Sequence, residues 1–347
     1  MDISDGVNVV GYHRQALGLG SEARRLTRYL RELGIGVSTI DAPHSESQVL
    51  HEIPESDNRW QYPNTVSVVT AQALPRVIET LGASNFQSTR HAGMWYWELE
   101  HIPPSITGAF ELVDEIWAGS EFIGAAFRRY STKPVFVVPK EIPTSPPQMK
   151  SRYELSIPDQ KFVVLCTFDF FSVFERKNPL ACIEGFRKAF EEDDEVLLMI
   201  KSQNADKFPV HADQLSTAIA DAENIVWRDE FVSDVEQWSL IANADVLVST
   251  HRSEGLGLHI LQAIACGKQV VCTGYSAPAE YVREPFGHLI DFTMVPIPTG
   301  IEAYPEGTLW ADPDIEHLAA LLRQARFAIE QMVRPALQVT NSNIEPK

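Results

Sequence analysis

The stretch from Asp245 to Thr273, DVLVSTHRSEGLGLHILQAIACGKQVVCT, limits the fold of this chain more than any other. Val246-Leu247-Val248 is a short apolar run of the kind that forms a strand buried on both faces, and the polar, glycine-rich STHRSEGLG after it reads as a loop. From Leu256 to Ala265 apolar residues return at helical spacing, Gly267 is placed to end the helix, and 269–273 reads as a second strand. The first turn of such a helix carries unpaired backbone N–H groups at the positive end of the helix dipole. The loop before it therefore favours an anion such as a phosphate.

The same alternation runs through the rest of the chain. Apolar strands are expected at 7–10, 36–40, 66–69, 92–97, 115–118 and 135–138, and again at 162–166, 196–200 and 225–227. Strands alternating with helices predict parallel sheets covered on both faces. At 347 residues the chain exceeds one ordinary core, and the proline-rich PKEIPTSPPQ (139–148) reads as a linker. The expected fold class is α/β, with two doubly wound domains at 1–145 and 146–347. Ligands of such sheets sit off the carboxyl ends of strands, which marks Tyr12, His13, Glu98 and Ser120 in the first half. Near the C-terminus the helix is expected from about Asp314, with DPD acting as its cap rather than as a metal motif.

Composition excludes some functions. A net charge of −18 argues against a nucleic-acid partner, because phosphate backbones are held by basic surface. No apolar run approaches the ~18 residues of a membrane span, and MDISDGVNVV lacks the basic and apolar regions of a signal peptide, so the protein is expected in the cytoplasm. Cys166, Cys182, Cys266 and Cys272 stand in apolar contexts without C-x-x-C spacing and are expected as buried free thiols. The ten histidines show no ligand spacing, so no protein-bound metal is expected.

In the second half, Asn178 and Pro179 open a helix, with Arg176 and Lys177 just ahead of it. Lys201 follows the strand at 196–200. Three cations at the ends of adjacent parallel strands are expected to converge where a diphosphate could bind. Further along, Ser233 or Asp234 caps a helix, and TGYSAPAEYV offers Gly274 and Ser276 at another strand end, where backbone N–H groups could complete the anion site.

In the first half, Gly18 and Gly20 permit a tight loop with close approach of a ligand to the backbone, and Ser21 can cap the helix that ends near Gly34. That helix sets Arg24, Arg25, Arg28 and Arg31 against Ala23, Leu26, Leu30 and Leu33, either a solvated face or a surface for anionic lipid at the inner side of a membrane. GMWYWELEHIPP places Trp95 and Trp97 beside Glu98. The tryptophans suit core packing or stacking on a sugar, while the carboxylate suits sugar hydroxyls.

With these motifs in place, the chain from about Gly11 to about Leu322 resembles the retaining nucleotide-sugar glycosyltransferases of family four, the glycosyl transferases group 1. The resemblance is carried by EGLGL and LQAIACG, by RKNP, and by WELE and DEIWAGSEF, the last two being similar to bacterial surface-polysaccharide mannosyl- and rhamnosyltransferases. It implies the GT-B architecture, two Rossmann-like domains across a cleft. The first would bind a saccharide or polyprenyl-linked acceptor through His13, Trp97 and Glu98, and the second the nucleotide sugar. By position, Glu254 would reach the sugar hydroxyls. Arg176, Lys177, Lys201 and the N–H groups of Ser253, Gly255, Leu256, Gly257 and Leu258 would hold the diphosphate, while the GLG loop at Gly18 and Gly20 would face the donor. Phe231, in DEFVSD, would lie over the base.

Two positions depart from the pattern. Gln262 stands where a ribose-binding glutamate is usual, and Phe171 where many members have an arginine, leaving Asp169 and Ser172 as substitute donor contacts. The implied reaction is metal-independent sugar transfer with retention. A non-catalytic donor-binding or assembly partner of a polysaccharide complex, and a nucleotide-sugar epimerase, are the alternatives. Relatives end in a helix that crosses back to the first domain. Here the polar ALQVTNSNIEPK (336–347) predicts that this helix is shortened or absent.

Overall fold

The structure is a computed structural model that describes residues 1–15, 17–43, 49–50, 53–138, 148–191, 193–301 and 304–341. The expected linker therefore lies outside the described residues except for Gln148, as does the 145/146 boundary. The chain divides into two compact units, Met1–Glu141 and Ile142–Lys347.

The first unit contains β1 (Val7–Gly11), α1 (Gly18–Glu32), β2 (Val37–Asp41), β3 (Asn64–Val68), α2 (Leu74–Leu81), α3 (Ala83–Gln87), β4 (Arg90–Trp95), α4 (Pro104–Thr107), β5 (Glu115–Ala118), α5 (Glu121–Tyr130) and β6 (Val135–Val137). Its six strands form one parallel sheet in the order β2-β1-β3-β4-β5-β6. Val7 and Val9, Val66 and Val68, and Ala92 and Met94 pack with Ala23, Leu26 and Leu30 of α1. The other face of these strands is buried as well, with Asn8, Thr65, Ser67 and His91 all inside and hydrogen-bonded, as in a sheet covered on both faces.

In the second unit come β7 (Phe162–Thr167), α6 (Phe174–Lys177), α7 (Pro179–Phe190), β8 (Val196–Ser202), α8 (Pro209–Ile219), β9 (Ile225–Asp229), α9 (Asp234–Asn243), β10 (Val246–Ser249), α10 (Leu258–Ala265), β11 (Gln269–Thr273), α11 (Pro278–Tyr281), β12 (Gly287–Ile290), β13 (Phe292–Pro296), β14 (Leu309–Pro313) and α12 (Ile315–Asn341). Six strands form a parallel sheet in the order β12-β11-β10-β7-β8-β9, and β13 pairs antiparallel with β14. One core is built from Phe168, Phe170, Phe174, Phe186 and Leu318, and the other from Leu165, Leu247, Ile260 and Val270. From β7 the chain winds out through β8 and β9, then returns to the other side of β7 for β10. The order reverses between β7 and β10, and the crevice at the carboxyl ends of such a pair is where ligands of open α/β sheets bind.

Several local expectations hold. Ser233 and Glu236 form a reciprocal capping box on α9, and the Asp314 carboxylate accepts from the His317 N–H at the start of α12. Gly267, at φ +65°, follows the end of α10. Cys166, Cys182 and Cys272 are buried free thiols, while Cys266 is only half-buried.

Others are corrected. Gly18 and Gly20 are not loop residues but the first turn of α1, whose N-cap is Leu17, and Ser21 lies inside the helix. Gly20 is needed there because a Cβ would stand 2.5 Å from the Gln15 carbonyl oxygen and 2.6 Å from that of Tyr12. Leu33, expected on the apolar face, is 57% exposed because it lies past the last turn of α1. The strand expected at 92–97 ends at Trp95, leaving Trp97 and Glu98 beyond it. The C-terminal helix is not shortened at 336: α12 continues through ALQVTN to Asn341. Residues 342–347 lie outside the description. Among the described residues no helix is long and apolar enough to cross a membrane.

Candidate functional site

Two loops flank the reversal of strand order. The one after β7 passes through Asp169 to α6, which carries Arg176 and Lys177, and the one after β10 carries His251 to Gly257. They are tied together mostly by backbone groups, so the side chains between them have fixed positions. The Thr250 hydroxyl donates to the Asn178 carbonyl at 2.7 Å, and the Arg252 N–H to the Arg176 carbonyl at 2.7 Å. The Arg252 guanidinium donates to the Glu175 carbonyl at 2.6 Å and to Asp312 at 2.9 Å. Arg176 in turn donates to the Ser253 carbonyl at 2.8 Å.

Glu254 sits between the loops. Its carboxylate pairs with Arg176 at 3.3 Å and with Lys177 in a closer contact, and the three side chains are 7%, 5% and 12% exposed. Burial alone would raise the carboxyl pKa, but Lys177 and Arg176 hold it well below the usual carboxylate range, so Glu254 is ionised at neutral pH. The Glu254 N–H donates to the Ser276 hydroxyl at 2.8 Å, and that hydroxyl donates to the Tyr275 carbonyl at 2.6 Å. Ser276 holds a positive φ of 61°, which turns it toward the Glu254 loop. Gly257 caps α10 in the left-handed region, at φ +78°, and the Tyr281 hydroxyl donates to the carbonyls of Leu256 and Gly257. Leu258 is the first residue of the helix.

Not every expected residue joins this cluster. Arg176, Lys177 and Glu254 are in direct contact, whereas Lys201, at the carboxyl end of β8, faces Asp169, Asp229 and Glu230. Two of the three cations are thus paired with Glu254, and the third is buried beside carboxylates. Burial lowers the Lys201 pKa and Asp169 opposes that shift. Asp169 braces its own loop, accepting from the Phe171 N–H at 2.9 Å and from the side-chain amides of Gln203 at 2.7 Å and Asn204 at 2.8 Å. Gly274 offers no N–H to a phosphate, because its amide donates to the Ile290 carbonyl at 2.9 Å and so continues the pairing of β11 with β12. Ser172 is half-buried after Phe171, which is 41% exposed and packs edge-on to Phe208 at 5.3 Å. Phe231 is 37% exposed. Gln262 is half-buried one turn into α10.

Two histidines that the sequence did not single out stand in the same cluster. His251 Nδ1 and His259 Nε2 lie 3.0 and 3.2 Å from the same Ser249 hydroxyl. Burial pushes His251 down to about 4 and His259 to about 3, so both are neutral at pH 7. Lone histidines carry no spacing signal, and only the return of α10 onto the end of β10 brings these two together.

Residues 154–295 match the profile of a family described as Glycosyl transferases group 1. The match covers less than half of the chain and is a likeness of its second unit to that family. No curated protein matches the sequence at a significant level. Among solved structures, a glycosyltransferase from Rickettsia africae ESF-5 is similar at a TM-score of 0.63 and 14% identity, covering 93% of this chain and 88% of that one. Anabaena HepE in complex with UDP and glucose gives a TM-score of 0.58 and 14% identity, with 92% and 89% covered. S. aureus TarM in complex with UDP gives 0.54 and 14%, covering 75% of this chain, which spans only 48% of that longer one. At these identities the likeness is one of fold. The architecture is GT-B, with two Rossmann-like doubly wound domains, and the segment similar to the group 1 family lies in the second.

His13, Trp97, Glu98 and Ser120 belong to the first domain. His13 is buried, its Nε2–H donating to the Val9 carbonyl at 2.9 Å, and burial lowers its pKa. Trp97 is 5% exposed and donates to the His101 carbonyl at 2.8 Å, a packing role, whereas Glu98 is half-buried. Ser120 caps α5 by accepting from the Ile123 N–H at 3.2 Å. On α1, Arg24 donates to the carbonyls of His13 and Gln15, and Arg25 pairs with buried Glu22. Arg28 and Arg31 are exposed.

Proposed function

We propose that the protein is a retaining glycosyltransferase that moves a sugar from a nucleotide-sugar donor to a saccharide or lipid-linked saccharide, in the cytoplasm and in the assembly of a polysaccharide or glycoconjugate. The observation that carries this reading is the buried Arg176–Glu254–Lys177 cluster at the reversal of strand order, within the segment that matches the family. HepE, similar in fold, is described in complex with UDP and glucose.

In this reaction the bond from the sugar C1 to the diphosphate oxygen breaks, and the electron pair leaves with the diphosphate. The acceptor hydroxyl forms the new bond at C1 on the same face, and its proton passes to the departing phosphate oxygen. Arg176 and Lys177 stabilise the charge that develops on the leaving group, supplying what a divalent ion would otherwise provide. Losing one such preorganised donor typically costs about 3 to 4 kcal/mol of barrier. The diphosphate competes with Glu254 for those two cations. As they turn toward the phosphate, the carboxylate is released to accept from a sugar hydroxyl. Mannose and rhamnose are the donor sugars we favour.

A thermal-shift panel of UDP, GDP and dTDP and their hexose esters, with and without EDTA, tests the reading. A ligand at about 100 times its dissociation constant stabilises the native state by about 2.7 kcal/mol. One nucleotide family should raise the melting temperature whether or not EDTA is present, and Lys177→Gln should abolish the rise. A panel without any shift would sink the donor site and favour the non-catalytic assembly partner.

A further inference from the structure

The hydrogen bonds around Ser249 run in only one direction. His251 Nε2 lies 3.4 Å from the Tyr275 carbonyl oxygen, and a carbonyl can only accept, so His251 carries its proton on Nε2. The ring is fully buried and neutral at pH 7, so its Nδ1 is bare and can only accept. The Ser249 hydroxyl, 3.0 Å away, must donate to that Nδ1. Having spent its proton, Ser249 Oγ accepts from His259 Nε2–H at 3.2 Å. A backbone carbonyl thus fixes, through a serine and a second histidine, the tautomer of His259 on the first turn of α10. The relay leaves His259 Nδ1 as a bare acceptor with no protein partner among the described residues.

His259 is half-buried, two residues past the left-handed Gly257, and lies in the field of Lys177, Glu254, His251 and Arg176. Beside two cations and the carboxylate of Glu254, it is a neutral acceptor at the first turn of α10. It offers nothing to a phosphate, whose oxygens also accept. It suits a hydroxyl.

We propose that His259 is a donor-specificity residue whose Nδ1 accepts a hydrogen bond from a hydroxyl of the transferred sugar, with Ser249 and His251 as positioning residues that keep this nitrogen unprotonated. The inference rests on the donor reading given above and deepens it. It assigns His259 to the sugar and not to the diphosphate, so its removal weakens the sugar ester and spares the free nucleotide.

Two substitutions separate the ring's two nitrogens. His259→Gln can still donate to Ser249 but has no atom in the place of Nδ1, whereas His259→Asn sets an amide oxygen there and gives up the serine. Titration calorimetry with UDP, GDP and dTDP, each alone and as its hexose ester, reads the ratio of the two affinities. In His259→Gln the matching nucleotide should bind within about twofold of wild type, and its hexose ester should lose about three- to tenfold, the worth of one neutral hydrogen bond. His259→Asn should restore the preference for the ester. An unchanged ratio in His259→Gln, or equal weakening of nucleotide and ester in both variants, would overturn the assignment. Nitrogen-15 NMR of the wild-type chain tests the relay without any ligand: a proton on His259 Nδ1 at pH 7 would overturn it, and one on Nε2 supports it. If wild type binds no nucleotide or ester of the panel, the donor reading itself fails, and the specificity role falls with it.

Discussion

Removing the Glu254 carboxylate would leave Arg176 and Lys177 buried without the counter-charge they share. Breaking a buried pair in this way costs about 3 to 5 kcal/mol. Glu254→Ala should therefore lower the denaturant midpoint with the slope unchanged, and nucleotide should recover more stability in this variant than in wild type, because its phosphates supply the missing anion. A variant as stable as wild type would show that the cluster is open to water. Acid acts on the same residues. The folded pKa values of Glu254, His251 and His259 all lie below their unfolded values, so each contributes stability that is full above its unfolded pKa and lost as pH falls toward the folded one. Stability should decline from about pH 6.5, the ordinary histidine pKa, down to about pH 4, with fully buried His251 alone accounting for something on the order of 3 kcal/mol. His251→Gln should flatten that segment of the stability–pH curve, and an unchanged slope would count against the buried neutral state. At Gln262 an amide replaces a charge-assisted acceptor, so Gln262→Glu should leave turnover similar or higher.

Among the elements, α10 depends on Gly257. A Cβ there would stand 2.9 Å from the Tyr281 hydroxyl and 3.1 Å from Ile260 Cδ1, at a φ that side chains resist. Gly257→Ala should cost about 1 to 3 kcal/mol and weaken nucleotide binding as well, because the strain falls on the loop that holds Glu254. Ser233→Ala removes the capping box of α9 and should cost about 1 kcal/mol with nucleotide affinity unchanged. Calorimetric melting with and without nucleotide separates the two cases. At this scale the sequence was legible where a rule is local. The cap of α9 at Ser233 or Asp234, the terminator Gly267 and the acidic cap of α12 were expected and found, and the structure adds Glu236 to complete a capping box at Ser233. The GLG at 18–20 misled because glycine marks close backbone approach equally well in a loop and in a helical turn, and only the carbonyls of Tyr12 and Gln15 distinguish them.

For the whole molecule, hydrogen exchange on the full chain with and without nucleotide should show protection concentrated in the second unit, in the loops after β7 and β10 and the first turn of α10. Protection confined to the first unit would displace the site. The strands and their parallel arrangement in two units were legible in the sequence, because apolar strand segments alternating with helices are a local pattern that no long-range contact need supply. The family segment was legible for a similar reason: its glycines, cations and carboxylate stand at fixed local spacing. The contacts of the site were not. Lys177 and Glu254 are 77 positions apart, and their pairing, the separate acidic surroundings of Lys201 and the meeting of two histidines on Ser249 depend on which strand lies beside which. The sequence determined which groups would be available, and the order β10-β7-β8 decided which of them touch, because charge and hydrogen bonding act over a few ångströms in space and not along the chain.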